Sequence, residues 1–127
     1  MVVVDASAMV DLLLGTPLGA AVADRLRGEQ LHAPAHFDAE VLSALGRLHR
    51  AGSLSPGQVG TRLARLETAP IERHPLTSLA RGAWGRRGSL RLVDALYVEL
   101  AAHVGSTLVT TDAALAAAER RAELVST

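Results

Sequence analysis

The sequence contains no cysteine. A disulfide framework, a thiolate nucleophile and a cysteine-ligated zinc site are therefore excluded. Lysine is missing as well, so all 13 basic side chains are arginines. That removes every mechanism built on a catalytic or phosphate-holding lysine, P-loop nucleotide hydrolysis among them. Aromatic residues are limited to Phe37, Trp84 and Tyr97. The core must then be built from leucine, valine and alanine, and there is no extended platform for stacking bases. Net charge is zero, 13 acidic residues balancing the arginines, so the overall charge gives no sign of a polyanionic partner. The amino-terminal run MVVVDASAMVDLLLG has no basic segment ahead of it and is interrupted by Asp5 and Asp11. It reads as neither a signal peptide nor a membrane span, and a cytoplasmic protein without a membrane partner is expected.

What remains is a composition of 49% hydrophobic and 20% charged residues over 127 positions, enough for one domain, 1–127, with a real core. Strand-like and helix-like segments alternate, which predicts an α/β fold with a small, mainly parallel β-sheet flanked by helices. Val2 to Val4 make a first strand ending at Asp5. Ser7 is placed to cap a short helix reaching Leu14. Thr16 and Pro17 have the residue types of an N-cap and first helical position for the next helix, which Gly28 ends. Leu31 to Ala33 is a short strand, and Val41, Leu42, Leu45 and Leu48 recur at helical spacing between His36 and Arg50. Ser55-Pro56 opens a further helix to Glu67, and Pro70 to His74 reads as an edge strand. A helix is expected from Leu76, with Gly82, Gly85 and Gly88 breaking the chain into a loop. Leu92 to Val104 is the most apolar helix, Thr107 to Thr110 a strand, Asp112 the start of a short helix, and Leu124-Val125 a last strand.

The informative carboxylates are those in apolar settings, where a charge is expensive. Asp5 follows three valines and Asp112 follows Thr-Leu-Val-Thr-Thr. Both fall at the carboxyl ends of predicted parallel strands, the edge at which open α/β sheets bind ligands. Asp112 is equally well placed as a helix cap. Asp94 lies in a helix that is apolar nearly all round. At ~100° per residue it sits roughly 140° from Glu99, on the face of Tyr97, Val98 and Ala101. Glu99 and His103 form a polar stripe expected to face water. A carboxylate on the Asp94 face must be hydrogen-bonded, metal-bound or paired, Arg91 being the obvious partner. Glu40 occupies the first turn of its helix, where dipole effects alone favour an acid, and Asp38 is a second candidate cap there. If Asp5, Glu40, Asp94 and Asp112 converge on one cavity, their repulsion calls for a cation. All-oxygen ligands suit Mg²⁺ or Mn²⁺, and the chemistry implied is metal-assisted phosphodiester hydrolysis.

The segments VVVDASAMVDLL, PAHFDAEVLSALGRL, LRLVDALYVELA and LVTTDAAL, in this order and spacing, resemble the signature regions of PIN-domain proteins, and most of all the VapC-like toxins. The likeness runs over essentially the whole chain. It implies a PIN-like fold and an acidic quartet of Asp5, Glu40, Asp94 and Asp112, with Ser7 and Thr110 supporting the metal site. It further implies Mg²⁺- or Mn²⁺-dependent endoribonuclease activity, a homodimer, and inhibition by a cognate VapB-like antitoxin. Some relatives carry another acid a few positions after the last aspartate. Here those positions are Ala113, Ala114, Ala116 and Ala117, which does not favour a full second metal site.

Between Glu72 and Asp94 no acidic residue occurs, while Arg73, Arg81, Arg86, Arg87 and Arg91 all do. The block offers Arg81, Arg86, Arg87 and Arg91 as contacts for an RNA backbone beside the acidic site. Trp84, in the same block, is expected to anchor its loop to the core. The five histidines form no H-E-x-x-H pattern or other close pair and are assigned surface or boundary roles. A receiver domain or haloacid-dehalogenase-like phosphatase also places an aspartate after its first strand, but both need a lysine. The alternative from a different class is a PIN-fold module that binds proteins with little or no catalysis.

Overall fold

The computed structural model describes residues 1–127 and contains one five-stranded sheet, all parallel, in the order β3-β2-β1-β4-β5. The strands are β1 Val2–Val4, β2 Leu31–Pro34, β3 Ile71–His74, β4 Thr107–Thr110 and β5 Ala122–Leu124. The helices are α1 Ala6–Leu14, α2 Pro17–Leu26, α3 Phe37–Arg50, α4 Pro56–Thr68, α5 Ala80–Gly85, α6 Leu92–Val104 and α7 Ala113–Ala118. From β1 the chain builds outward through β2 to β3, then returns to place β4 on the other side of β1. The strand order therefore reverses between β1 and β4, which opens a crevice at their carboxyl ends.

The three valines of β1 are enclosed, paired by β2 and β4 along both edges and packed against α6. A continuous apolar run is what a strand buried on both faces requires. Around β1 the core is filled by Leu13, Phe37, Leu45, Tyr97, Leu100 and Leu108, each at most 1% exposed. Burying each such side chain contributes roughly 1.5–3 kcal/mol. Helix α6 packs on β1, β2 and β4, whereas α1 packs on α2, α3, α4 and β4. No single helix is long and apolar enough to cross a membrane.

Local chemistry explains several boundaries. Thr16 caps α2 by accepting from the Gly19 amide at 3.0 Å, with Pro17 behind it. Ser55 and Gln58 form a reciprocal capping box at α4. Gly15 ends α1 in the left-handed region, and the chain turns through 118° into α2. Gly19 is required for a different reason: a Cβ there would lie 2.0 Å from the Asp11 carbonyl oxygen.

Several expectations are corrected. Ser7 does not cap α1; Asp5 holds that position, and the Ser7 hydroxyl turns back to the Asp5 carboxylate. Leu76–Ser78 is a single 3-10 turn, and Gly82 and Gly85 lie within α5 rather than in a loop. Because α5 turns Ala83 inward, Trp84 points outward, 57% exposed beneath the Arg87 guanidinium, and anchors nothing to the core. Glu99 does not face water either. Helix α5 covers it at Gly82, where a Cβ would strike its carboxylate, and Arg86 and His103 pair with it. Asp38 caps no helix and instead holds Arg73 of β3 through two hydrogen bonds. His32 is buried rather than at a boundary, and it meets His74, so the histidines do form a close pair.

Candidate active site

The crevice at the switch point is a cavity of about 360 Å³, lined by Asp5, Glu40, Asp94 and Asp112 together with Asp11, Arg47 and Arg91. Each of the four expected carboxylates comes from a different element. Asp5 follows β1, Glu40 stands in the first turn of α3, Asp94 in the first turn of α6, and Asp112 follows β4.

Asp5 is the deepest, 6% exposed. One of its oxygens accepts from the Ser7 hydroxyl at 2.7 Å and from the Thr110 hydroxyl at 2.6 Å. These donors are neutral, and no cationic side chain reaches it. Burial accordingly pushes the Asp5 carboxyl above the usual carboxylate range; the two hydroxyls oppose that shift and the like charge of Asp94 adds to it. Thr110 is fully buried and does a second job, accepting from the Asp112 amide at 2.9 Å. One hydroxyl therefore fixes the carboxylate after β1 to the turn after β4.

Asp112 caps α7 through one oxygen only, which accepts from the Ala114 and Leu115 amides at 2.9 and 3.2 Å. Capping and a place in the cavity are thus both true of it. Glu40 accepts from the Tyr97 hydroxyl at 2.6 Å and lies 3.4 Å from His36 Nε2. Tyr97 is fully enclosed, and burial together with the hydrogen bond to Glu40 and its charge holds the phenol firmly protonated, so toward Glu40 it is the donor. Asp94 accepts from Arg91 Nε at 3.0 Å; its side chain is 16% exposed and that of Arg91 75%. The Arg91 guanidinium is held still more firmly charged, chiefly by Asp94, with Asp112 and Glu40 contributing.

Of the expected RNA contacts, Arg91 lines the cavity and Arg81, Arg86 and Arg87 do not. Arg81 stands exposed on α5, Arg86 is engaged by Glu99 at 2.9 Å and Arg87 lies over Trp84. Two charged lining residues are not among those the sequence singles out as site candidates. Asp11, which accepts from the Thr111 hydroxyl at 2.7 Å, is one helical turn after Ser7. Arg47 is two turns after Glu40, and the intervening Ala44 also lines the cavity. Helical spacing from the recognised residues was the available signal in both cases.

The donor set is entirely oxygen and strongly negative, with positive charge supplied only by Arg47 and Arg91. Asp5, Asp94 and Asp112, with Glu40 at the side, are therefore suited to a hard divalent cation, which would offset the burial of Asp5.

Residues 2–121 match the family model described as PIN domain. The chain is 59% identical over 118 residues to Ribonuclease VapC3 of Mycobacterium tuberculosis, covering 92% of this chain and 86% of that protein. It is 42% identical over 116 residues to Ribonuclease VapC12 of the same species, covering 91% and 90%. Among solved structures, a toxin–antitoxin complex from Klebsiella pneumoniae superposes with a TM-score of 0.74 at 16% identity, over 99% of this chain and 98% of that one. At that identity the likeness is one of fold.

Proposed function

This chain belongs to the PIN-domain family, and from that premise we propose that it is the endoribonuclease toxin of a toxin–antitoxin pair, hydrolysing RNA phosphodiester bonds in the cavity between β1 and β4. The observation that carries this reading is Asp5, a buried carboxylate with only neutral donors, facing three further carboxylates from separate elements. A scaffold kept only for binding has no use for that concentration of charge.

Nucleases of the PIN domain generally use divalent metal ions. Here Mg²⁺ or Mn²⁺ is the proposed ion, with Asp5, Asp94 and Asp112 as its holders and Glu40 as the residue that positions water. When bound, such an ion lowers the pKa of water and stabilises the charge developing on the phosphate. The chain's own contribution is positioning. Ser7 and Thr110 fix the rotamer of Asp5, Tyr97 fixes Glu40, and Thr110 ties the two strand ends together. Arg47 and Arg91 receive phosphate oxygens at the rim, so that a polyanion can approach an acidic floor. In-line attack by water leaves a 3′-hydroxyl and a 5′-phosphate.

The proposed partners are an RNA substrate, a VapB-like antitoxin and a second copy of the chain. Trp84 and Leu92, both about half exposed, share a small apolar cleft with Leu96 that a partner would cover. The test is cleavage of total cellular RNA by antitoxin-free protein with Mg²⁺ or Mn²⁺, with EDTA, and with Asp94→Asn. Discrete fragments that vanish in the last two support the reading. Their absence from a folded, metal-loaded protein would leave a protein-binding module as the better account.

A further inference from the structure

The far edge of the same sheet gathers a second set of metal-ligating side chains that the acidic cavity does not use. The parallel register sets His32 beside Glu72 and Pro34 beside His74. The two-residue period of a strand then puts His32, Glu72 and His74 on one face of the β2–β3 pair. Arg73, between the two β3 ligands, points to the opposite face and is occupied by Asp38. His32 Nδ1 lies 2.9 Å from His74 Nε2 and 3.3 Å from a Glu72 oxygen. One donor atom from each residue fits within 4.8 Å of the other two.

We propose that His32, Glu72 and His74 form a second cation site, for a borderline transition metal such as Zn²⁺, with water as the fourth ligand. The inference does not depend on the activity assigned to the acidic cavity. Two imidazoles and one carboxylate are a donor set that Zn²⁺ accepts and that Mg²⁺ does not favour. Bonds of about 2.1 Å in a tetrahedron place neighbouring donors about 3.4 Å apart. The Glu72 contact already has that spacing, and the two imidazoles need to separate by roughly half an ångström. His32 is 8% exposed, so its ring direction is set by packing. His74 is half-buried and Glu72 exposed, which leaves a route from solvent.

The other nitrogen of His32, Nε2, is buried without a hydrogen-bond partner. Zinc-bound histidines usually donate that second N–H to an acceptor, which tightens the site. Its lack here sets the expected affinity on the order of micromolar rather than that of a closed structural zinc site. The ion would cross-link edge strand β3 to β2, immediately before α3, where the Ala35 amide already donates to the His74 carbonyl at 2.8 Å.

The test is a Co²⁺ titration of the full-length, tag-free protein with excess Mg²⁺ present to fill any all-oxygen site. The expected result is about one Co²⁺ per chain with the strong visible absorption of tetrahedral nitrogen ligation, bleached by Zn²⁺. His74→Ala and Glu72→Gln should each weaken binding about tenfold or more, while Asp5→Asn leaves it unchanged. Zn²⁺ should also raise the Tm of the parent chain and not that of His74→Ala. A folded protein with no such absorption, an undiminished signal in His74→Ala, or a signal lost in Asp5→Asn would each overturn the site.

Discussion

Helix α6 carries one carboxylate toward each of two neighbours, and the two live under opposite conditions. Glu99 faces α5, where Arg86 and His103 both reach it and Gly82 makes room for it. Asp94 faces the cavity, where its one cationic contact is a largely exposed arginine and its other neighbours include Asp5 and Asp112. The first environment neutralises a charge inside the protein. The second assembles charge that the protein leaves to be neutralised from outside. A buried acid with full pairing thus reads as structural, and a buried acid among acids marks the candidate functional site.

The comparison is broken most directly at Asp5. Asp5→Asn keeps the shape of the side chain and removes its charge, so RNA cleavage should fall by at least 10²-fold, the scale on which preorganised charge contributes to catalysis. Folding should not suffer, because burial already disfavours the charged form. The metal-free variant should melt at or above the parent's Tm and should lose the parent's stabilisation by added Mg²⁺ or Mn²⁺. A variant that unfolds would place Asp5 with Glu99 among the structural acids.

Thr110→Val tests the support beneath the site. The exchange is close to isosteric but deletes the hydroxyl that donates to Asp5 and accepts from the Asp112 amide. Removing an outer partner of a metal ligand typically costs 10–100-fold in affinity or activity, and that range is expected for the metal dependence of cleavage. The part-buried Asp112 amide loses its acceptor as well, so stability should drop by about 1–3 kcal/mol in thermal or urea unfolding.

Glu99→Ala is the converse experiment. It leaves Arg86, whose side chain is 32% exposed, with only the 3.9 Å contact to Glu119, and opens space over Gly82. About 1–2 kcal/mol of stability should go, with cleavage by the folded fraction unchanged. A loss of activity at constant folding would mean that the α5 side of α6 contributes to the site after all.

These contrasts also explain what the sequence could reveal. Asp5 and Asp112 were legible because each ends an apolar strand, and the polarity change marks the sheet edge without any knowledge of packing. Asp94 was legible from helical phase, since its face is otherwise fully apolar. Phase alone misplaced Glu99. Its stripe looked solvated because the sequence does not tell that α5 folds over it, and three glycines suggested a loop where two of them sit in a helix. Trp84 failed for the same reason, its direction being set by that helix. The His32–His74 contact was out of reach, because it spans 42 positions and depends on the register of β2 with β3. Local pattern carries residue type and face; register and helix docking are decided by packing between distant segments.

The smallest expected effect separates the two kinds of arginine. Arg47 lines the cavity without an acidic partner, whereas Arg86 is held by Glu99 and sits within 3.9 Å of Glu119. If Arg47 meets a phosphate, Arg47→Ala should weaken RNA binding a few-fold and lower the slope of log K against log salt by about one. Arg86→Ala should leave that slope alone and instead lower the Tm, because it leaves the largely buried Glu99 with His103 as its remaining partner. Binding is best measured with Asp5→Asn as the background, so that the RNA stays intact during the salt series. Equal slopes for the two arginine variants would mean that pairing in the folded chain does not predict which arginines reach RNA. The broader block of Arg81, Arg86, Arg87 and Arg91 would then regain its claim as the contact surface.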